Sequence, residues 1–364
     1  MKNVIDIVGG GCAGLSLAKQ AKNLKNYTIN LYTLIEDKKN DHYWGFWKSE
    51  EIQKLSNKTV KTWYNWKIIN HHNENIFHST KYPYCVIRKN NWLKESKSIA
   101  EKLKVNVFNN KVIEKENSYY VNGKKLNGEY IFDSRPPNFD NNILLQHFHG
   151  IEIECDEDKF DFKTAILMDF RCDQSKGIHF IYFLPFSKKR ALVESTLFSN
   201  KVENKSFYIK EIKKYLKNIL KVHNYIIIHQ ETGVIPMSYI CLQNKNSINI
   251  GTRGGATKPS SGYTFNFIQY QINKIVNQIK SKKEITNEIH NKFDLYMDKI
   301  FIDVLNKKQI SIPNLFIDLT KNLSGDEMAR FMSGKSDFKI WLKVIKKLPK
   351  VVFLISLIKV SLYG

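Results

Sequence analysis

The sequence predicts an α/β protein: a Rossmann-type parallel sheet, an antiparallel sheet inserted into it, and a helical C-terminal region. Three observations carry this prediction. An apolar run from Val4 to Val8 feeds directly into Gly9-Gly10-Gly11-Cys12-Ala13-Gly14 and then into a helical pattern. The residues from Gln146 to Phe198 alternate as several antiparallel strands do. From Ser281 onward the pattern is helical, with no further strand alternation.

The first stretch is Gly-x-Gly-x-x-Gly set between a strand and a helix, which turns the helix N-terminus toward a pyrophosphate. Gly9 permits the sharp turn and Gly11 lets a phosphate approach the backbone. Gly14 lets the helix, roughly Ala13 to Leu24, sit close on the strand. A second apolar run from Tyr27 to Ile35 ends in Glu36, a carboxylate placed to accept hydrogen bonds from an adenosine ribose. Together these residues predict a dinucleotide site. Cys12 inside the loop reads as a small buried filler.

A chain of 364 residues with 42% hydrophobic content is long enough for two or more packed units and a substantial core. The net charge of +22 has two readings: a compositional bias, since the lysines are scattered among many asparagines and isoleucines, or attraction to anionic lipid. No nucleic-acid-binding module is recognisable, so no nucleic-acid partner is expected. The five cysteines are far apart and form no Cys-x-x-Cys pair, which suggests reduced thiols in a cytosolic setting and no metal site. Met1-Lys2 leads straight into the first strand with no signal-peptide pattern, and no apolar run reaches the roughly 18 residues of a membrane span.

Further along, His42-Tyr43-Trp44-Gly45-Phe46-Trp47 is an aromatic cluster that suits either a core corner or an apolar, cation-facing wall. Tyr82 to Arg88 reads as a strand ending in a cation, with Arg88 either a surface charge or a phosphate contact, and a helix begins near Asn91. Val105 to Tyr130, with turns at Asn109-Asn110, Asn122-Gly123 and Asn127-Gly128, predicts a small antiparallel ribbon. It leads into Ile131 to Pro137, a strand returning to the parallel sheet. The inserted sheet occupies about 145–240 and is expected to cover the reactive ring of a cofactor, leaving a substrate pocket between the two. A Lys-rich amphipathic helix follows from Ser206 to Leu220. The stretch from Ile248 to Tyr263 is a second glycine-rich turn, including Gly251 and Gly262, which opens a helix running to about Ile279. Its backbone amides are placed to approach an anionic group. From Lys335 to Gly364 there are seven lysines against one aspartate, and Val351 to Ile358 is apolar apart from Ser356. That segment suits a helix lying on a membrane surface or one packed on the body.

In this order the motifs resemble those of bacterial-type flavoprotein lycopene β-cyclases. The resemblance runs nearly end to end, through Val8-Gly9-Gly10-Gly11, Asp133-Ser134-Arg135-Pro136, Met168-Asp169-Phe170, Tyr182-Phe183-Leu184-Pro185-Phe186, Leu192-Val193-Glu194-Ser195-Thr196, Gly233-Val234-Ile235-Pro236-Met237 and Lys258-Pro259-Ser260-Ser261-Gly262-Tyr263. It implies that residues 1–285 form a Rossmann-type FAD-binding domain carrying the inserted antiparallel substrate-binding sheet, and that 286–364 form a helical C-terminal region, membrane-associated in one reading. It also implies a redox-neutral cyclisation of the linear ends of lycopene, giving β-carotene through γ-carotene, supported by reduced FAD with NAD(P)H as electron source. Glu194 falls on the family's Leu-Glu-Glu position, where the first glutamate is the proposed acid and base. The second glutamate of that pattern is Ser195 here, which counts against a mechanism built on two adjacent carboxylates. The implied cofactor contacts are Gly9, Gly11, Ala13, Gly14, Glu36, Arg88, Gly251 and Gly262. More distant flavin hydroxylases carry Gly-Asp where this chain has Gly251-Thr252, which argues against oxygen chemistry. An FAD-dependent monooxygenase or isoprenoid reductase acting on a hydrophobic substrate is the alternative. The expected location is cytoplasmic, peripheral on the inner face of the cell membrane; the sequence leaves the oligomeric state open.

In such a cyclisation a proton adds to a terminal alkene, the next double bond attacks the tertiary cation, and a proton leaves the new ring. A carboxyl group delivers the proton only while protonated, and burial raises a glutamate pKa by up to about 3 to 5 units. A fixed negative charge about 4 Å from the cation, at an effective dielectric near 20, is worth roughly 4 kcal/mol, about a thousandfold in rate. Trp44, Phe46, Trp47, Tyr182 and Phe183 are candidate aromatic faces for the same cation.

Overall fold

The computed structural model describes residues 3–34, 41–49, 52, 59–139, 142–307 and 310–363. The chain opens with β1 (Asn3–Val8), α1 (Cys12–Ala18) and β2 (Tyr27–Thr33). Next come β3 (Tyr43–Trp47), β4 (Lys61–Trp63), β5 (Asn65–Ile69), β6 (Glu74–His78), β7 (Tyr84–Arg88) and α2 (Lys89–Lys102). They are followed by β8 (Asn106–Asn109), β9 (Ile113–Lys115), β10 (Ser118–Val121), β11 (Lys124–Lys125) and β12 (Tyr130–Asp133). The middle of the chain holds β13 (Leu145–Glu154), β14 (Thr164–Asp169), β15 (Ile178–Pro185), β16 (Arg190–Ser199), α3 (Lys205–Asn218) and β17 (Ile226–Pro236). After β18 (Ile248–Asn249) come α4 (Phe265–Lys280), α5 (Lys292–Lys307), α6 (Ile312–Thr320), α7 (Gly325–Met332), α8 (Phe338–Ile345) and α9 (Lys350–Tyr363).

The parallel sheet has the order β18-β12-β1-β2-β8. Ile5, Ile7, Ile29 and Leu31 on its central strands are buried against Leu17 of α1 and Ile272 and Ile275 of α4. Gly9 has φ +104°, a conformation that side-chain-bearing residues avoid. A Cβ on Gly14 would strike the Gly9 carbonyl oxygen, so the helix can seat on the strand only with glycine there. The α-helix ends at Ala18 and continues as a 3₁₀ turn over Lys19–Asn23, tighter than the single helix read to Leu24.

The second sheet has seven strands in the order β17-β13-β16-β15-β14-β5-β6, antiparallel except between β14 and β5. It therefore extends beyond the expected 145–240: β5 and β6, at residues 65–78, form its far edge. Pairing between strands about a hundred residues apart leaves no mark on either strand's own pattern, which is why the boundary was missed. The ribbon expected over Val105 to Tyr130 is likewise narrower. Only β9, β10 and β11 form it, while β8 returns through α2 to lie parallel beside β2.

Side chains along a strand alternate between faces, and here each face has its own core. Ile151, Ile181, Phe183 and Val193 face α3. Phe180, Leu184, Leu192 and Phe198 share a core with Val304, Leu315, Trp341 and Val344 of the C-terminal helices. The C-terminal region is thus helical as expected, and α5 to α9 pack onto the body as the roof of one sheet face.

Gly14→Val is expected to lower stability by about 1–3 kcal/mol, the usual cost of forcing atoms into a packed site. Denaturant unfolding of the variant beside the parent chain checks this.

Candidate functional site

The two glycine turns meet at the C-terminal ends of the parallel strands. Gly251 (φ +68°) starts a 3₁₀ turn, Gly251–Arg253, and a Cβ there would come within 2.8 Å of the Ala13 Cβ. The Gly251 N–H donates to Gln271 Oε1 at 2.8 Å, which anchors this turn to α4. Gly9, Ala13, Gly14 and Gly251 are thereby gathered in one place, and Gly11 has open space where its Cβ would stand. Gly262 (φ +71°) closes a loop in which its N–H donates to the Lys258 carbonyl at 2.8 Å, and it lines the adjoining cavity. Arg88 is not among the cavity walls: its Nε donates to Asp41 Oδ2 at 2.7 Å and its guanidinium lies 5.4 Å from the Tyr43 ring. Glu36 falls outside the described residues.

A cavity of about 790 Å³ runs from Cys12, Thr252 and Gly262 past Trp44, Trp47, Tyr182 and Glu194. Its far part is walled by the C-terminal helices, through Phe316, Phe331, Trp341, Val344 and Phe353. At the end near the glycine turns two polar wall atoms, Gln146 Oε1 and Ser261 Oγ, are buried without a partner among the described residues. Buried polar atoms are rarely left unpaired, so this end fits a flat heteroaromatic group that carries its own donors and acceptors. Burial pushes the Cys12 thiol up to about 12, which keeps it un-ionised and supports its reading as a filler.

Glu194 projects from β16 into the cavity wall. The pleat fixes this: Glu194, Thr196 and Phe198 share one face, whereas Ser195 turns to the other and its Oγ pairs with His179 Nε2 at 2.8 Å. A carboxylate at position 195 would not reach the cavity. The second carboxyl comes from across the sheet. Glu194 on β16 and Glu231 on β17 both stand opposite Gly150 of β13. Gly150 has no side chain to separate them; a Cβ there would lie 3.1 Å from Glu231 Cγ and 3.4 Å from Glu194 Cγ. The two carboxyl groups meet over this gap, where one can donate a hydrogen bond to the other while it is protonated.

Burial raises the Glu194 carboxyl from 4.5 to about 7, against the lowering effect of hydrogen bonds from Thr196 Oγ1, at 2.7 Å, and Glu231. Glu231 is held well above the carboxylate range, first by burial and then by the neighbouring charge of Glu194. The backbone N–H of Tyr43 donates to Glu231 Oε2 at 3.0 Å. Two residues along β13, buried Glu152 accepts from Tyr43 Oη at 3.0 Å and from Arg190 Nε at 2.6 Å, so its charge is compensated.

Tyr182 stands opposite Glu194 on β15. Its hydroxyl lies 2.6 Å from that of Tyr84, which lies 3.3 Å from that of Tyr263. Trp47 packs against both Tyr84 and Tyr263, with ring centroids 4.9 and 5.0 Å away. Burial raises all three phenols well above their usual range, so these rings stay neutral. Of the aromatic candidates, Trp44, Trp47 and Tyr182 line the cavity. Phe46 and Phe183 do not: Phe46 packs against Phe265, and Phe183 lies on the opposite face of β15, in the α3 core. Lys258 and Asp298 also line the cavity, as a buried bidentate pair at 2.9 Å that cancels both charges.

Sequence reasoning missed Glu231, Tyr84 and the helical far wall. Glu231 lies two residues before the Gly233–Met237 motif quoted above, but only the register across Gly150 shows that it meets Glu194.

The family model for the lycopene cyclase protein family matches residues 4–353. Chloroplastic neoxanthin synthases of Solanum lycopersicum and Solanum tuberosum are 28% and 27% identical, each match covering 71% of this chain and 56% of the relative. The chain thus spans a little over half the length of the curated relatives it matches. Among solved structures, a geranylgeranyl bacteriochlorophyll reductase-like protein from Thermoplasma acidophilum is 12% identical with TM-score 0.62, covering 96% of this chain and 98% of that one. A flavin-dependent brominase, 13% identical with TM-score 0.55, covers 98% and 94%. These structures share the fold.

The raised pKa of Glu194 predicts a pH dependence. Its neutral form is preferred when folded, so the folded state binds more protons between pH 4.5 and about 7, and stability falls as pH rises through that window. Glu194→Gln removes the ionisation. The variant is expected to match the parent near pH 4.5 and to exceed it above pH 7 by on the order of 3 kcal/mol at most, read from denaturant midpoints.

Proposed function

Because the chain belongs to the lycopene cyclase family, we propose that it is a lycopene β-cyclase, which closes the linear ends of lycopene to β-rings, giving β-carotene through γ-carotene, without net redox change. The observation that carries this reading is a carboxyl group, Glu194, kept protonated up to about pH 7 and turned into a long, mostly apolar cavity. A hydrocarbon offers no group for hydrogen bonding, so a site for it needs shape, dryness and a proton donor.

The cofactor in this reading is FAD, reduced at the expense of NAD(P)H. Gly9, Gly11, Ala13, Gly14, Glu36 and Gly251 would hold its dinucleotide part. Gly262, Gln146 Oε1 and Ser261 Oγ would meet its ring. Arg88 is left out of this set because its guanidinium is committed to Asp41 and Tyr43. Bound and reduced, FAD would supply a fixed negative charge that stabilises a carbocation.

The chain's own residues do the rest. Glu194 gives its proton to the terminal alkene, leaving a tertiary cation that the next double bond attacks. The Glu194 carboxylate then takes a proton from the new ring, so the enzyme is restored. Trp44, Trp47, Tyr84, Tyr182 and Tyr263 surround this position with neutral π faces, each worth about 0.5–2 kcal/mol toward a desolvated cation. They also exclude water, which would quench it. The apolar far wall holds the remainder of the forty-carbon chain.

No helix among the described residues is long and apolar enough to cross a membrane. Helix α9, whose Phe353 lines the cavity, leaves Val351, Leu354 and Leu362 70%, 57% and 69% exposed. With seven lysines between 335 and 359 in the same stretch of chain, the proposed location is the cytoplasmic face of the cell membrane, bound peripherally where a lipid-dissolved substrate resides.

In a lycopene-accumulating host the chain is expected to yield β-carotene of unchanged mass, and Glu194→Gln to yield none while retaining flavin. Chromatography and one mass spectrum decide this; an added oxygen or two added hydrogens would instead support the monooxygenase or reductase reading. Leu354→Asp combined with Leu362→Asp is expected to reduce recovery with floated anionic vesicles at least about tenfold, with flavin content unchanged.

A further inference from the structure

Glu231 is deeply buried, sits on the outermost strand of the seven-stranded sheet, and is absent from the cavity wall. A substrate held in that cavity would not touch it. It meets the chemistry at Glu194, whose side chain it adjoins over Gly150. We infer that Glu231 is a positioning residue for the acid: it keeps its own proton throughout and donates it as a hydrogen bond to Glu194, stabilising the carboxylate that remains when Glu194 protonates the alkene. The inference rests on the cyclase reading for its kinetic consequences, though not for the state of the Glu231 proton.

The surroundings of the pair support this assignment. Facing Glu231 are the Tyr43 N–H, His229 with its Nε2 3.9 Å away, and Glu152, which is already paired with Arg190. Burial lowers the His229 pKa, so His229 is neutral at pH 7 and does not balance a second negative charge. Facing Glu194 are Thr196, the neutral phenols of Tyr182, Tyr84 and Tyr263, and, along the same cavity, the mutually neutralised Lys258 and Asp298. Apart from His229 and Arg190, the flanking charges are negative or cancelled, and Arg190 is committed to Glu152. Two ionised carboxylates side by side here would lack compensation, whereas one neutral carboxyl bonded to one carboxylate satisfies both. The proton balance also closes. The proton that leaves Glu194 for the alkene carbon is replaced by the one released from the ring, and Glu231 neither gains nor loses one.

Two substitutions separate this role from a structural one. Glu231→Gln keeps a neutral donor at the same reach. It is expected to retain the rate within about tenfold and to leave the alkaline limb of the pH–rate profile in place. Glu231→Leu removes the donor, destabilising the Glu194 carboxylate. Its limb is expected to move upward by about one to two pH units and its plateau rate to fall at least about tenfold. An unmoved limb in a folded, flavin-loaded Glu231→Leu, or a Glu231→Gln as inactive as Glu194→Gln, would overturn the assignment.

Infrared difference spectra of parent against Glu231→Gln at about pH 8, above the Glu194 value, read the proton directly. The expected result is the carbonyl stretch of a neutral carboxyl lost in the variant; a carboxylate band lost instead overturns the inference. This arm needs neither lycopene nor a foldable leucine variant. Should the parent chain fail to cyclise lycopene, the proposed reaction falls while the infrared result still decides the state of Glu231.

Discussion

A carboxyl group in a mostly apolar cavity is a conflict that the fold must resolve, and the placing of Glu194 beside Glu231 over Gly150 is the feature on which the proposed chemistry depends. Alone, a buried carboxylate would be expelled or permanently neutral. With a neutral partner that donates to it, the same group can alternate between acid and conjugate base within the range of ordinary pH. The missing side chain at Gly150 makes this possible, since two strands on either side of a third normally keep their side chains apart.

The pleat of the seven-stranded sheet extends that economy. Odd-numbered positions of β13, β15 and β16 build a core with α3, and even-numbered ones build the cavity wall. The rigid half holds the reactive half in place, and a one-residue slip would exchange them. Ser195 shows the consequence. Although it adjoins Glu194 in the chain, it belongs to the other layer and is engaged by His179.

Much of the architecture is legible in the sequence because its signals are local. The glycines at 9, 11 and 14 announce the turn between β1 and α1, and alternation marks β13, β15 and β16 individually. What is not legible depends on pairing between distant segments. The 65–78 hairpin looks no different from an independent ribbon until β14 is laid beside it. Glu231 reads as one more polar residue in a strand until its register against Gly150 is known. Strand parity, by contrast, is local information, and it separates Phe183 from Phe180 and Tyr182, which face the cavity.

The cavity is closed on one side by a sheet and on the other by helices that follow it in the chain, with Phe316, Trp341 and Phe353 completing a wall begun by Phe180 and Phe198. A ribosome therefore releases the sheet before its cover exists. Until residues beyond about 312 emerge, that face of nonpolar side chains stands open to solvent, and a newborn chain is at its stickiest just when the fatty ligand it would house could shield it.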